Sequence, residues 1–503
     1  MLIAEIYKFS IRLRRDTLTL LGAAAVGIAL GGISLYFSPR LVLGMIAGLS
    51  FFFITFKKPE IILLSILGMT STILATESIP SIPGFSSVKV TDLVLAFLLG
   101  LVIVRALVNP DFKVVHTPLD FPLLAFYGLA LASTLLAAVS TSLEPWRAYS
   151  EISILSYYLL FFVVTNLLRN SRQLISLIQG FLLLATAVAI AMIVQFFIGE
   201  SSTILSGRVE TLNTQGVSQV GITRILPPGQ SLILVAFITQ ISVLPLNRFK
   251  ASTILKVLMC GIVSIALILT FSRSFWLGTG LALLLLTILF KGQDKQRFIR
   301  LGITAIVLAS ALYIMATLNQ ERQSADLVKA AIERLSTATN TNSILEDQSF
   351  RWRYPEYEHA FSQIIKHPLM GIGFGVQYRP RDMRIDSVGI FDGRAYLHNG
   401  HLWILTKSGL LGYLSFMWLS SLFIARGFTQ WRRISNTLMR GCVLGFTLTY
   451  LSILIIAVVT PIFMQEFWTP AIGIMMGTNE AIFHFNSQNF PKRNVIQINA
   501  GKM

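Results

Sequence analysis

Four residues of this chain combine a reactive or anion-gripping side chain with a suggestive setting: Arg224, Arg273, Arg353 and His398. Arg273 lies in Thr270-Phe-Ser-Arg-Ser-Phe-Trp276, a connection between two apolar runs so short that it must form a tight hairpin. Arg224 lies in Gly221-Ile-Thr-Arg-Ile-Leu-Pro-Pro228, just ahead of another apolar run. A guanidinium is planar, stays charged at any working pH and grips phosphate oxygens bidentately. Two of them at one membrane boundary suit a lipid-linked diphosphate, although an arginine there can also simply snorkel to headgroups. His398 opens His398-Asn-Gly-His401, directly before an apolar run. A neutral imidazole in such a place can take a proton from a hydroxyl, or can serve only to cap the next helix.

Other polar motifs are weaker. His398 and His401 have a metal-like His-x-x-His spacing, but a zinc site needs a third protein ligand and no cluster supplies one nearby. Gly371-Ile-Gly-Phe-Gly375 lacks the spacing and the strand-to-helix context of a dinucleotide loop and reads as a turn. His367, before Pro368, reads as structural. Lys407 lies inside an apolar run, where an ammonium is costly unless paired, and the sequence names no partner for it.

The elements that must hold these residues are membrane helices. The chain has 503 residues, 54% of them hydrophobic and only 13% charged, with a mean hydropathy of +0.69. That is too little charge to cover soluble domains of this length. Apolar segments from 18–37 to 468–484 predict an all-α, polytopic membrane protein with 12–14 transmembrane helices. The first segment has no convincing cleavage site and reads as a retained span. Cys260 and Cys442 sit in apolar runs, which leaves no disulfide framework.

The net charge of +17 falls in small groups between apolar runs, such as Arg14-Arg15, Lys57-Lys58 and Arg432-Arg433, and forms no basic patch for nucleic acid. These groups occupy alternate loops, so the positive-inside bias places both termini in the cytoplasm. The same register puts Arg224, Arg273, Arg353 and His398 on the outer face. The organisation expected is 1–318 as N-terminal membrane helices, 319–401 as one large external helical loop, and 402–503 as C-terminal membrane helices with a cytoplasmic tail. The loop balances ten basic against ten acidic residues, as a small folded domain would. Amphipathic helices are readable near 326–335 and near 356–366, the second with Tyr357, Phe361, Ile364 and Ile365 facing inward. The first 15 residues have the pattern of a helix lying on the inner leaflet.

Taken in order, the motifs resemble those of bacterial O-antigen ligases. His398-Asn399, nine residues and then Gly409-Leu-Leu-Gly412 is similar to the family's loop-end signature. Arg353-x-x-x-Tyr357 with His367-Pro-Leu-Met-Gly-Ile-Gly-Phe-Gly375 resembles the motif that precedes it, and Ser272-Arg273-Ser-Phe-Trp276 the family's Ser-Arg turn. The likeness runs from about Arg224 to Gly412. Position 407 departs from it, being lysine where relatives often carry an acid.

The resemblance implies a metal-independent, inverting glycosyltransferase of the bacterial inner membrane that needs no cofactor. Its donor would be a glycan on undecaprenyl diphosphate and its acceptor a lipid, glycan or protein hydroxyl. His398 would be the general base, and Arg224, Arg273 and Arg353 would bind the diphosphate. O-antigen polymerases and protein O-oligosaccharyltransferases of the same family share the donor chemistry. A different class, the inorganic-carbon or other small-solute carrier, would want polar residues deep in several spans, whereas those here cluster at the outer surface.

Overall fold

The computed structural model describes residues 54, 57–71, 88–140, 143–200, 202, 204–214, 217–247, 251–318, 330–331, 348–383 and 392–489. The chain divides into two compact units, Met1–Ile62 and Leu63–Met503. Described residues of the first unit amount to little beyond the start of α1 (Pro59–Thr70), and the architecture below belongs to the second.

The second unit is mostly helical. It continues with α2 (Val90–Val108), α3 (Asp120–Ser140), α4 (Pro145–Ser156), α5 (Leu160–Leu167) and α6 (Ser171–Ile198). An antiparallel hairpin follows, β1 (Arg208–Thr214) and β2 (Val217–Leu226). Then come α7 (Gln230–Val243), α8 (Ala251–Leu269), α9 (Arg273–Leu289), α10 (Gly292–Leu318) and α11 (Gln348–Lys366). The chain closes with α12 (Gly400–Gln430), α13 (Thr437–Ile456) and α14 (Thr469–Asn489). By length and composition, six of the described helical stretches could cross a membrane: Val90–Val108, Asp120–Ser140, Pro145–Leu167, Ser171–Ile198, Gly400–Arg433 and Thr437–Ile456. Four shorter apolar helices, α7 to α9 among them, accompany these. The chain is a multi-pass membrane protein. The apolar segments 18–37 and most of 41–56 lie outside the described residues, as do the helix on the first 15 residues and all of 326–335 except Ala330 and Ala331.

Helix starts follow from capping chemistry, since the first N–H groups of a helix lack internal partners. The side chains of Asn170, Asn399 and Asn436 accept from the backbone N–H of Gln173, Leu402 and Met439. Asp120, in the first turn of α3, accepts from the Thr117 backbone N–H at 3.0 Å and from its hydroxyl at 2.6 Å. The core lies where α7 meets α13; nearly every residue of both helices is buried, and glycines allow the approach. At Gly445 an added Cβ would sit 2.6 Å from the Thr239 Cα.

The hairpin is the exception to an all-helical reading. Period-two alternation within Arg-Val-Glu-Thr-Leu-Asn-Thr is the local signal for it. Leu212 and Ile222 drop into a small core with Leu269 and Phe271, while Glu210 stands opposite Arg224.

Helix α11 also differs from expectation in which face it buries. Glu356 and Ala360 are buried, Tyr357 and Ile364 are half-buried, and Phe361 and Ile365 are exposed. The polar face turns inward because Glu356 has partners there, as described next.

Candidate functional site

His398 precedes the first turn of α12, and Glu356 reaches it from α11. The Glu356 carboxylate accepts from the His398 backbone N–H at 2.9 Å and lies 2.9 and 3.0 Å from Nδ1. A carboxylate can only accept, so this contact selects the tautomer with its proton on Nδ1 and leaves the Nε2 lone pair open. Glu356 is fully buried while the His398 side chain keeps 27% exposure, so the ring is held from behind and presented in front. Tyr396 packs edge-on against the ring at 4.7 Å between centroids.

Arg379 balances the buried acid. Its Nη1 lies 3.3 Å from Glu356 and donates to the Tyr396 carbonyl at 3.0 Å, while Nη2 donates to Asp382 at 3.0 Å. A buried carboxylate is tolerable only when compensated in this way. Arg353 stands one turn before Tyr357 on α11, and its Nε is buried with no hydrogen-bond partner among the described residues. Burial pushes the Tyr357 phenol upward, opposed by the Arg353 charge and by a hydrogen bond from the Asn399 side chain. Burial also raises the Tyr396 phenol, with Glu356 adding to the shift and Arg353, Arg208 and Arg379 opposing it. Arg208 of β1 is thus within electrostatic reach of the His398 side of the site.

The other two arginines meet at the turn between α8 and α9. Phe271 takes φ 43° there, a conformation costly for a side chain this large, and its full burial holds it in place. The strained turn lets Arg273 begin α9 directly after α8. Arg224 on β2 reaches the same turn, its Nε donating to the Thr270 carbonyl at 3.1 Å and Nη1 lying 3.3 Å from Glu210. Beside the turn, Ser274 contacts Thr460 at 3.5 Å, just past the end of α13. That same end accepts the Gly400 N–H on the Ala457 carbonyl at 2.7 Å. The end of α13 therefore ties the Arg273 turn to the start of α12, and all four predicted residues gather at one end of the bundle. An apolar cavity of about 260 Å³ opens beside the turn, lined by Phe237, Leu267, Ile268, Trp276 and Leu283.

The two histidines of His-x-x-His part company. The His401 Nε2 donates to the Leu454 carbonyl at 2.7 Å, and Nδ1 faces the Tyr413 hydroxyl at 3.3 Å, so this ring fastens α12 to α13. Among the described residues no three metal-ligating side chains come together.

The glycine loop positions the whole site. Gly371, Gly373 and Gly375 have φ of 70°, 87° and 86°, and the loop lies flat on α12 where Gly409 breaks the helix. A Cβ on Gly371 would meet the Lys407 carbonyl and the Gly409 nitrogen at 2.5 Å. The Ile372 and Gly373 N–H groups donate to the carbonyls of Thr406 and Lys407, and Leu410 and Leu411 donate back to Pro368 and Leu369. Lys407, fully buried, finds the partner that the sequence left open. Its Nζ lies 2.9 Å from Glu151 and donates to the Val376 carbonyl at 2.7 Å, while Glu151 also accepts the Gly375 N–H.

Residues missed from sequence are Glu356, Arg379, Asp382 and Glu151. Glu356 could have been found as the one acid on the inner face of its helix; the others carry no local signal.

Two comparisons bear on what this arrangement is. No curated protein matches the chain. Residues 258–417 match the model of the family described as O-antigen ligase, an interval that holds Arg273, Arg353, His398, the glycine loop and the Gly409 kink, with Arg224 upstream of it. This multi-pass membrane protein carries an O-antigen ligase family domain.

Proposed function

We propose that the chain is a glycosyltransferase that moves a glycan from undecaprenyl diphosphate to an acceptor hydroxyl. The carrying observation is His398, fixed through Nδ1 by a buried carboxylate with its Nε2 face open, at the bundle end that also holds Arg273 and Arg224. In this reading Nε2 takes the acceptor proton as the acceptor oxygen attacks the anomeric carbon. The bond from that carbon to the phosphate oxygen breaks with inversion, and the electron pair leaves on the diphosphate. Arg224 and Arg273 stabilise this growing charge beside the positive N-terminal end of α9, and Arg353 orients the diphosphate. The apolar cavity next to Trp276 suits the first isoprene units of the carrier.

The charge alternation along the sequence supports both termini in the cytoplasm of a bacterial inner membrane and the site at the periplasmic face. The same argument supports the division at 318 and 402 into helices, external loop and helices. O-antigen ligation is the acceptor chemistry we favour; glycan-chain polymerisation and protein O-glycosylation use the same donor step. Against a solute carrier stand two buried charges of the described membrane helices that are closed into pairs, Lys407 with Glu151 and Glu480 with Arg426.

The test is glycan transfer in liposomes with a lipid-diphosphate-linked donor and candidate acceptors. His398→Ala and Arg273→Ala should each abolish transfer in folded protein, and the acceptor that works names the branch. Full transfer by His398→Ala refutes the assignment.

A further inference from the structure

Helix α11 carries an apolar stripe on the side away from Glu356. Tyr354, Phe361 and Ile365 fall within about 40° of one another around the helix, and Leu369 continues the line past its end. Phe361 is 53% exposed, Ile365 79% and Leu369 59%. Large side chains left outward in a row need an explanation, since isolated ones do not.

Two registers fix where this stripe lies. Helices α11 and α12 run side by side in the same direction: Glu356 bonds His398, Tyr357 meets Asn399, and the Pro368 carbonyl accepts from Leu410. Phe361 is therefore level with Trp403, Ile365 with Lys407 and Leu369 with Leu411. Helix α3 runs antiparallel to α12, with the Ser133 hydroxyl on the Lys407 carbonyl and Phe121 against Trp418. By this second register, Phe361 is level with Ala137 of α3 and Ile365 with Ser133, so Leu135 stands between them in height and Val139 about 3 Å above Phe361.

Leu135 and Val139 face outward from a membrane-length helix, the first 66% exposed and the second 90%. Below them, Leu410, Leu411, Leu414 and Trp418 are also exposed on α12. The stripe on α11 thus continues an apolar belt formed by outward-facing side chains of α3 and α12, two helices long and apolar enough to cross a membrane. Lys366, exposed at the lower end of α11, has a long apolar stem that can lie along the stripe with its ammonium directed up toward the headgroups. Glu358, higher on the helix and level with Gly400, is the exposed acid at the other end of the stripe.

We propose that the second half of α11, through Phe361, Ile365 and Leu369, is seated in the acyl chains of the adjoining leaflet. The soluble-looking loop is then part of the membrane domain. The same helix presents Glu356 on its opposite side, so the lipid surface sets the height of His398. The seating itself does not depend on what reaction the site performs.

The test is site-directed fluorescence in proteoliposomes of phosphatidylethanolamine and phosphatidylglycerol. Buried Cys260 and Cys442 are replaced by alanine, and single cysteines at Phe361, Ile365 and Leu369 carry an NBD label. Leu135→Cys serves as the lipid-facing standard and Arg394→Cys, exposed beside the site, as the water-facing one. Seating predicts blue-shifted emission and quenching by brominated lipid at 361 and 365 at least half as strong as at 135, with little quenching by iodide. Iodide quenching equal to that at 394 overturns the proposal. Protection from both quenchers also overturns it, since the stripe would then be covered by protein, from this chain or a second copy. Three separately labelled positions guard against one variant that fails to fold.

Discussion

Replacing Glu356 by glutamine keeps the side chain's shape and removes its charge. In the native site the carboxylate bonds both the Nδ1 and the backbone N–H of His398. A hydrogen bond to a charged group contributes about 1.5–3 kcal/mol, and each 1.4 kcal/mol of barrier is about tenfold in rate. Losing this support for the imidazolium should therefore slow transfer by about 10- to 150-fold. A second effect adds to the first: the new amide can offer its own N–H to Nδ1 and so place the imidazole proton on Nε2, where no base remains. The total expected loss is about 10³-fold in kcat, with the donor KM within about twofold because Glu356 does not touch the diphosphate. Arg379 retains Asp382 and the Tyr396 carbonyl, so the variant should fold. The assay is transfer in proteoliposomes alongside a thermal melt. Glu356→Asp, which keeps the charge, should recover part of the rate, and adding Glu356→Gln to His398→Ala should change nothing further. Wild-type kcat in folded Glu356→Gln, or a fully additive double variant, would refute the reasoning.

Other consequences follow from the same geometry. Arg224→Lys keeps a charge but loses the fork that spans the Thr270 carbonyl and Glu210, so kcat/KM for the donor should fall by about 10²-fold, as for loss of one transition-state donor. Lys407→Met leaves Glu151 facing a buried gap and should destabilise the protein by about 3–5 kcal/mol; the pair Lys407→Met with Glu151→Gln should melt closer to wild type. Gly371→Ala meets both a positive φ and the Lys407 backbone, so its cost should exceed the roughly 1–3 kcal/mol of backbone strain alone. Transfer should persist in a chelator, because His401 is engaged by Leu454 and Tyr413 and, among the described residues, no three metal-ligating side chains come together. Loss of transfer in EDTA that zinc or magnesium restores would count against this.

Much of the site was legible in the order of its motifs. The Ser-Arg turn, the glycine loop and the His-Asn start of a helix are local features, and each resides where its own sequence puts it. The glycines read as a turn because their spacing fits no nucleotide loop, and the structure has them as close contacts, Gly371 on α12, Gly373 on α3 and Gly375 on α4. The inward face of α11 was misread for a physical reason. Hydrophobicity marks the buried face of a helix only when water is the alternative, and a helix lying against a bilayer can expose Phe361 and Ile365 while its acid turns in. The hairpin was passed over because a single pair of short strands among apolar runs gives a faint alternation.

Composition and charge placement were enough to decide the membrane class, because the bilayer admits few backbone solutions and sorts basic residues by side. Motif order was enough to point to the family domain and to nominate His398, Arg273 and Arg353 as candidates, with Arg224 nominated from its place just ahead of an apolar run. Tertiary structure alone decided their partners. Glu356 reaches His398 across 42 positions of sequence, Glu151 reaches Lys407 across 256, and Glu210 meets Arg224 by strand register. No local pattern encodes such pairs, since what makes a buried charge tolerable is whichever opposite charge the packing brings within 3 to 4 Å.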